Sequence, residues 1–462
     1  MRFPSLVLLV LCGILAQGQR DDNGGHRCFP AIFGFGDDWG DVGNLQALYP
    51  ADLEKLEDEA PYGMSYFKKP ARRLSDGRLM LDFVAQALGM PLLSSYAVGV
   101  VSNLQHGISF AVAGSTASSI GLQQNPYHLM IQIQWLQKLE SDVRDALGNQ
   151  SLAKTTETLP NEQSFQEGLY MISTGQNDYR YAFFRDNRTV REVERTVIPY
   201  VVENITATVL FLSTTFRAAN FMVFNLPPLG CSPEFLTSFA STDPNDYDTM
   251  GCLIDYNRIT VLHNERLRVT LDVLRASFRD SVRRLIYVDM AAMVTGVVYD
   301  PESRGFQNGL EACCGTGKPY NYDPRCSCVT QRVIRGRNLT ARACSNPSTT
   351  SCSGIVDEYF VPVPLPVAVA AAEARPNNQD KINQHKRNPP DCCQGYAARQ
   401  RECEPERLAA HHLAPLFLHP KNVEDDVAAY RGGRHHGALI VYLGNVDKSL
   451  HPEAVTNTRT FG

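Results

Sequence analysis

The chain reads as an α/β protein built on a doubly wound parallel sheet of five strands. Three observations predict this. Short apolar runs at 31–35, 168–174, 221–226 and 285–289 are too brief for helices and read as strands buried on both faces. Stretches of helical periodicity separate them, and parallel strands need such crossovers. Two of the runs end in glycine-rich polar turns, Gly36-Asp37-Asp38 and Gly175-Gln176-Asn177-Asp178. Turns at the carboxyl ends of parallel strands are where open α/β sheets place their chemistry. The expected architecture is a flavodoxin-like α/β/α sandwich, followed by an irregular C-terminal tail.

From the amino end, Arg2, the apolar run Leu6–Leu15 and the small-residue site Ala16-Gln17-Gly18 make a secretory signal peptide over residues 1–18. The apolar run is well short of the ~20 residues that span a bilayer, and no later segment is expected to reach that length. The reading is therefore a secreted, extracellular protein that does not span a membrane. Sequons at Asn149, Asn187, Asn204 and Asn338 fit a glycoprotein. The chain has 462 residues, 44% hydrophobic, enough for a sizeable core. A net charge of −5 with no basic stripe gives no footprint for nucleic acid. Of 13 cysteines, 12 follow the leader, and in an oxidising compartment they read as disulfides whose pairing the sequence leaves open. Cys313-Cys314 and Cys326-x-Cys328 lack a nearby histidine, so disulfides are favoured there and no metal or cofactor is expected.

In the stretch Ala31–Asn44, Gly36-Asp37-Asp38 ends the first strand and Asp41, Gly43 and Asn44 keep the turn polar. Next, Leu79–Leu88 has an apolar helical face at 79, 83, 84, 87 and 88, with Ser75 or Asp76 as the expected N-cap. The run His106–Thr116 contains Ser109-Phe-Ala-Val-Ala-Gly114, and Gly175-x-Asn177-Asp178 follows the strand at 168–174. A long amphipathic helix is expected at about 190–215, then Pro227-Pro-Leu-Gly-Cys231. A second helix opens at 251–257 and reaches about Arg279, with Leu253, Tyr256, Leu267, Leu271 and Leu274 on one side. His263 within it reads as a packed or solvated histidine. Asn308-Gly-Leu-Glu-Ala-Cys-Cys-Gly315 closes the series.

These blocks, in this order, resemble the plant GDSL-motif esterase/lipases of the SGNH hydrolase superfamily over residues 28–355. The resemblance implies a hydrolase of carboxylic esters acting on a small-molecule ester, a lipid or an acetylated glycan. It also implies site positions. The family's Phe-Gly-Asp-Ser places the nucleophile at Asp38, where serine is expected. Its second block maps an oxyanion-hole N–H onto Gly114, and its third maps an oxyanion-donating amide onto Asn177.

The final block of the family, Trp-Asp-Gly-x-His, aligns with Cys352-Ser353-Gly354-Ile355-Val356. Ser353 stands where the orienting aspartate is expected and Val356 where the histidine base is expected. Valine accepts no proton, and Asp38 has no hydroxyl to activate. None of the 11 histidines has an aspartate three residues before it. Residues 356–435 mix proline, asparagine, arginine and histidine with little periodicity and read as an irregular or disordered tail. Residues 436–456 resemble the opening of a plant subtilisin-like protease propeptide, a fragment too short to bury a core. The expectation is an impaired esterase; the alternatives are a non-catalytic ester- or glycan-binding relative, or the product of a hybrid gene.

Overall fold

The computed structural model describes residues 29–50, 62–63, 65–99, 103–121, 125–148, 157–312, 314–315, 320–323, 331–334, 337–340 and 342–343. The chain divides into two units, Met1–Asn388 and Pro389–Gly462, and everything described belongs to the first. The leader, the tail from 356 and the propeptide-like fragment lie outside the described residues.

Five strands form one parallel sheet: β1 (Ile32–Gly36), β2 (Gly107–Ser109), β3 (Leu169–Ser173), β4 (Asn220–Phe224) and β5 (Arg284–Val288), in the order β2-β1-β3-β4-β5. This is the flavodoxin-like order, with its switch point between β1 and β3. Four strands coincide with the apolar runs to within two residues. β2 is only three residues long and carries glycine and serine, so no apolar run announces it.

Six helices matter for the site: α1 (Met80–Ala87), α2 (Leu129–Gly148), α3 (Gln176–Arg180), α4 (Ile198–Thr215), α5 (Ile254–Ser277) and α6 (Met290–Tyr299). Strand side chains alternate between the two faces. Phe33, Phe35, Tyr170, Ile172, Phe221 and Val223 pack with residues of α2, α4 and α5. Ile32, Leu169, Met171, Met222 and Phe224 pack with α1 and with Met290 of α6. Each such buried side chain contributes roughly 1.5–3 kcal/mol. Both faces are thus covered, as an all-parallel sheet requires.

Two expectations are corrected, the cap of α1 and the absence of a later span-length apolar segment. Helix α1 is capped at Leu79, whose N–H donates to Asp82 Oδ2 at 2.9 Å. Ser75 instead accepts from Gly77 N in the preceding turn, because Asp82 is held by a bidentate bond from buried Arg73 and can cap the helix itself. The helix at 190–215 is continuous but contains a π-helical turn at Val193–Val197. By length and composition Val190–Thr215 is also apolar enough to cross a membrane, contrary to the sequence expectation. Its buried share of 56% and its packing on α5 account for that apolarity as core. The fifth helix matches its expected face, with Leu267, Leu271 and Leu274 buried.

Candidate active site

Three turns meet above the switch point, and each is shaped by a residue that only that geometry explains. Gly36 ends β1 at φ +125°, where an added Cβ would lie 1.7 Å from the Ser173 carbonyl oxygen. Only glycine allows β1 to close on β3 there, and Asp37 N then donates to Ser173 O at 2.9 Å. The Asp41 carboxylate accepts from the backbone N–H groups of Gly43, Asn44, Leu45 and Ala113 at 2.6–3.0 Å. Asn44 Nδ2 donates to the Ser109 and Ala111 carbonyls at 2.9 and 2.8 Å. The first turn is thereby tied to the second. From α2, the buried Gln132 makes a peptide-like pair with Gly36, accepting from its N–H and donating to its C=O, both at 2.8 Å.

These ties set Asp38, Gly114 and Asn177 against one another. The Gly114 N–H donates to Asp38 Oδ1 at 2.9 Å. Asn177 Nδ2 donates to Asp38 Oδ2 at 2.5 Å and to the Ser115 carbonyl at 3.0 Å. Gly114 sits at φ +74°, and its carbonyl accepts from the Tyr181 hydroxyl at 2.8 Å. Two N–H donors from separate turns thus converge on the one Asp38 carboxylate.

Behind Asn177 stands a network with no signature in the sequence. Arg180 Nη1 donates to Asn177 Oδ1 at 3.1 Å, so the amide has its oxygen toward arginine and its nitrogen toward Asp38. Arg180 also makes a bidentate bond to Glu234 at 2.7 and 2.8 Å. Asp178 accepts from Ala117 N and Ser118 N at 2.8 and 3.0 Å and from the Ser118 hydroxyl, fixing the second turn against the third. Arg180 and Glu234 lie 54 residues apart, and Gln132 is one polar residue on an amphipathic helix. No spacing rule picks them out.

The site is crowded with acid groups. Burial pushes the Asp37 carboxyl well above its usual range, and the neighbouring Asp38 and Asp178 charges push it further. Burial also raises Asp38, while the Asn177 hydrogen bond, the Arg180 charge and the Gly114 hydrogen bond pull it down. Asp41 and Asp178 are both raised to about 6 by burial, against the hydrogen bonds they accept. A small cleft next to the site is lined by Asp37, Trp39, Thr174, Gln176, Asn225 and Met290.

Ser353, Val356 and Asn149 lie outside the described residues. Asn338 falls on the strand Arg337–Thr340. Asn187 is exposed at φ +50° between helices, whereas Asn204 lies within α4 with its Nδ2 donating to the Tyr200 carbonyl at 2.7 Å. His263 is packed, as expected: it is fully enclosed, shares a 2.7 Å hydrogen bond with the Tyr179 hydroxyl, and burial lowers it to about 3. A histidine so enclosed cannot reach a substrate. Of the cysteines, Cys231 pairs with Cys252.

A family model described as GDSL-like lipase/acylhydrolase matches residues 32–343. The chain is 35% identical over 356 residues to GDSL esterase/lipase At4g01130 of Arabidopsis thaliana, covering 75% of this chain and 88% of that one. It is 33% identical to GDSL esterase/lipase ENOD8 of Medicago truncatula, covering 75% and 85%. It is also 31% identical to alpha-L-fucosidase 3 of Arabidopsis thaliana, covering 70% and 85%.

Proposed function

The chain belongs to the GDSL-like lipase/acylhydrolase family, and we propose that it is a secreted member that has lost ester turnover. The observation that carries this reading is the side chain at the end of β1. Where a nucleophile would stand, Asp38 offers a carboxylate held by Gly114 and Asn177. A carboxylate has no hydroxyl proton to give up, so a base beside it would have nothing to activate.

The sequence of the last block supports the same conclusion. Val356 supplies no imidazole and Ser353 no carboxylate, so neither proton removal nor orientation of a base is available from those positions. In triad enzymes, loss of a member leaves about 10³–10⁴-fold acceleration from the oxyanion hole and binding. That residue of catalysis depends on free donors.

The ligand class inherited with the fold is a small acyl ester, lipid or acetylated glycan. A relative named as a fucosidase supports the glycan end of that range. Among the four sequons, Asn187 is the described position best placed to carry a glycan, being exposed outside any helix or strand.

The test is hydrolysis of p-nitrophenyl acetate by the purified full chain beside its Asp38→Ser variant. Neither is expected to turn over, because position 38 is only one of three substituted positions. Turnover by the unmodified chain, abolished by Asn177→Ala, overturns the reading.

A further inference from the structure

We propose that Asp38 is a built-in ligand of the oxyanion hole, and that the Gly114–Asn177 donor pair of this chain is a carboxylate receptor closed by its own side chain. The inference deepens the reading above and rests on it for the identity of the two donors.

The geometry differs from that of an acyl ligand. A substrate carbonyl, or the oxyanion it becomes, brings a single oxygen to both donors. Asp38 brings two, with Oδ1 on the Gly114 N–H at 2.9 Å and Oδ2 on the Asn177 amide at 2.5 Å. Each donor is thus matched to its own carboxylate oxygen, the arrangement a free carboxylate would adopt. Charge-assisted bonds of this kind are roughly twice as strong as neutral ones.

Three further contacts preset the donors. The Ser115 carbonyl takes the second amide hydrogen of Asn177 at 3.0 Å. Arg180 holds the amide oxygen at 3.1 Å, so the amide cannot flip without setting its NH₂ against a guanidinium. The Tyr181 hydroxyl fixes the far side of the Gly114 peptide at 2.8 Å. Arg180 also adds positive charge that favours an anion at position 38.

The occupant is covalently attached three residues into the turn. A free acid must displace it from an effectively intramolecular site, which multiplies the concentration needed. An ester competes worse still, since it lacks the charge. In this chain the substitution at position 38 therefore does two things: it removes the hydroxyl, and it shuts the hole.

The test uses the full chain labelled with ¹⁵N-glycine, with the Gly114 amide identified by its loss in Gly114→Ala. Sodium acetate is titrated at pH 7 against sodium chloride of equal ionic strength. In the unmodified chain the Gly114 resonance is expected not to move. In Asp38→Ala it is expected to shift saturably with acetate and not with chloride, and adding Asn177→Ala is expected to abolish that shift. Asp38→Ser serves as the second opened variant if the alanine variant does not fold.

A saturable acetate shift in the unmodified chain with the same midpoint as in Asp38→Ala overturns the proposal, as does a folded, opened variant that ignores acetate. Ester turnover by the unmodified chain would instead defeat the functional reading. The two failures are read in different experiments.

Discussion

Arg180 Nη1 donates to Asn177 Oδ1 at 3.1 Å while the rest of the same guanidinium is clamped on Glu234. That bond, together with the Ser115 carbonyl that accepts from Asn177 Nδ2, sets which end of the Asn177 amide faces Asp38. The Glu234 side chain is 8% exposed and that of Arg180 22%. Removing one partner of a fully buried pair costs roughly 3–5 kcal/mol, because it strands a charge. Partial exposure of Arg180 reduces that figure here. Arg180→Met is expected to lower unfolding free energy in urea by more than the double variant Arg180→Met/Glu234→Met does. Equal losses would show that the stranded Glu234 charge is not the cause.

Two glycines of the site differ in what they tolerate. At Gly36 a Cβ would overlap the Ser173 carbonyl oxygen at 1.7 Å, so β1 and β3 would have to part. Gly36→Ala is expected to cost more than about 4 kcal/mol and to abolish recovery of folded protein. At Gly114 the nearest atom to an added Cβ is 3.5 Å away, leaving only left-handed strain. Gly114→Ala is expected to fold with a loss of about 1–2 kcal/mol. The yield of folded Gly36→Ala and a thermal melt of Gly114→Ala check the contrast.

The Cys231–Cys252 bond closes a loop with a sequence separation of 21. Restricting the unfolded chain over that span corresponds to about 3 kcal/mol in the loop-entropy account. Cys231→Ser/Cys252→Ser is expected to lose about that much by urea denaturation under oxidising conditions. No loss would show that the bond contributes nothing through the unfolded state.

Acid groups raised by burial give stability a definite pH dependence. Asp41, Asp76 and Asp178 sit at about 6 in the fold, above the usual 3.8. The folded state therefore binds more protons between pH 4 and 6, so these groups make stability fall as pH rises through that window. His263 acts with the opposite sign. Its value of about 3 lies below the usual 6.5, so its contribution is lost as pH falls from 6.5 toward 3. Three carboxyls outweigh one imidazole between pH 4 and 6. Asp178→Asn is expected to remove up to about 1.4 kcal/mol per pH unit of that downward slope. Urea midpoints measured at pH 4, 5 and 6 read it directly, and an unchanged slope would contradict the raised value.

Glycan attachment separates the sequons. Asn187→Gln is expected to lower the mass of the chain expressed through a secretory pathway by one glycan, because that residue is exposed at φ +50° outside any helix or strand. An unchanged mass would remove Asn187 from the glycosylated positions.

Much of this was legible in the chain itself. Strands such as Leu169–Ser173 could be located because an apolar run too short for a helix has few other uses. Gly36 and Asp38 lie in a polar turn that ends an apolar run, which leaves a local trace, whereas Gly114 and Asn177 are picked out only by the family blocks that the resemblance maps onto them. β2 escaped, since three residues with a glycine and a serine become a strand only through pairing with β1. The expected cap at Ser75 or Asp76 failed for a similar reason: Arg73 reaches nine residues ahead to hold Asp82, which caps the helix.

The sequence by itself determined four of the five strands, the family and the identity of the side chain at position 38, because those depend on periodicity, turn chemistry and residue type. Only the tertiary structure decided where that side chain goes. Gly114 and Asn177 come to it from positions 76 and 139 residues away, and Arg180 with Glu234 sets the amide that receives it. Hydrogen bonds of that span depend on how two crossovers bring the ends of β1, β2 and β3 together, and no local pattern in the chain records that distance.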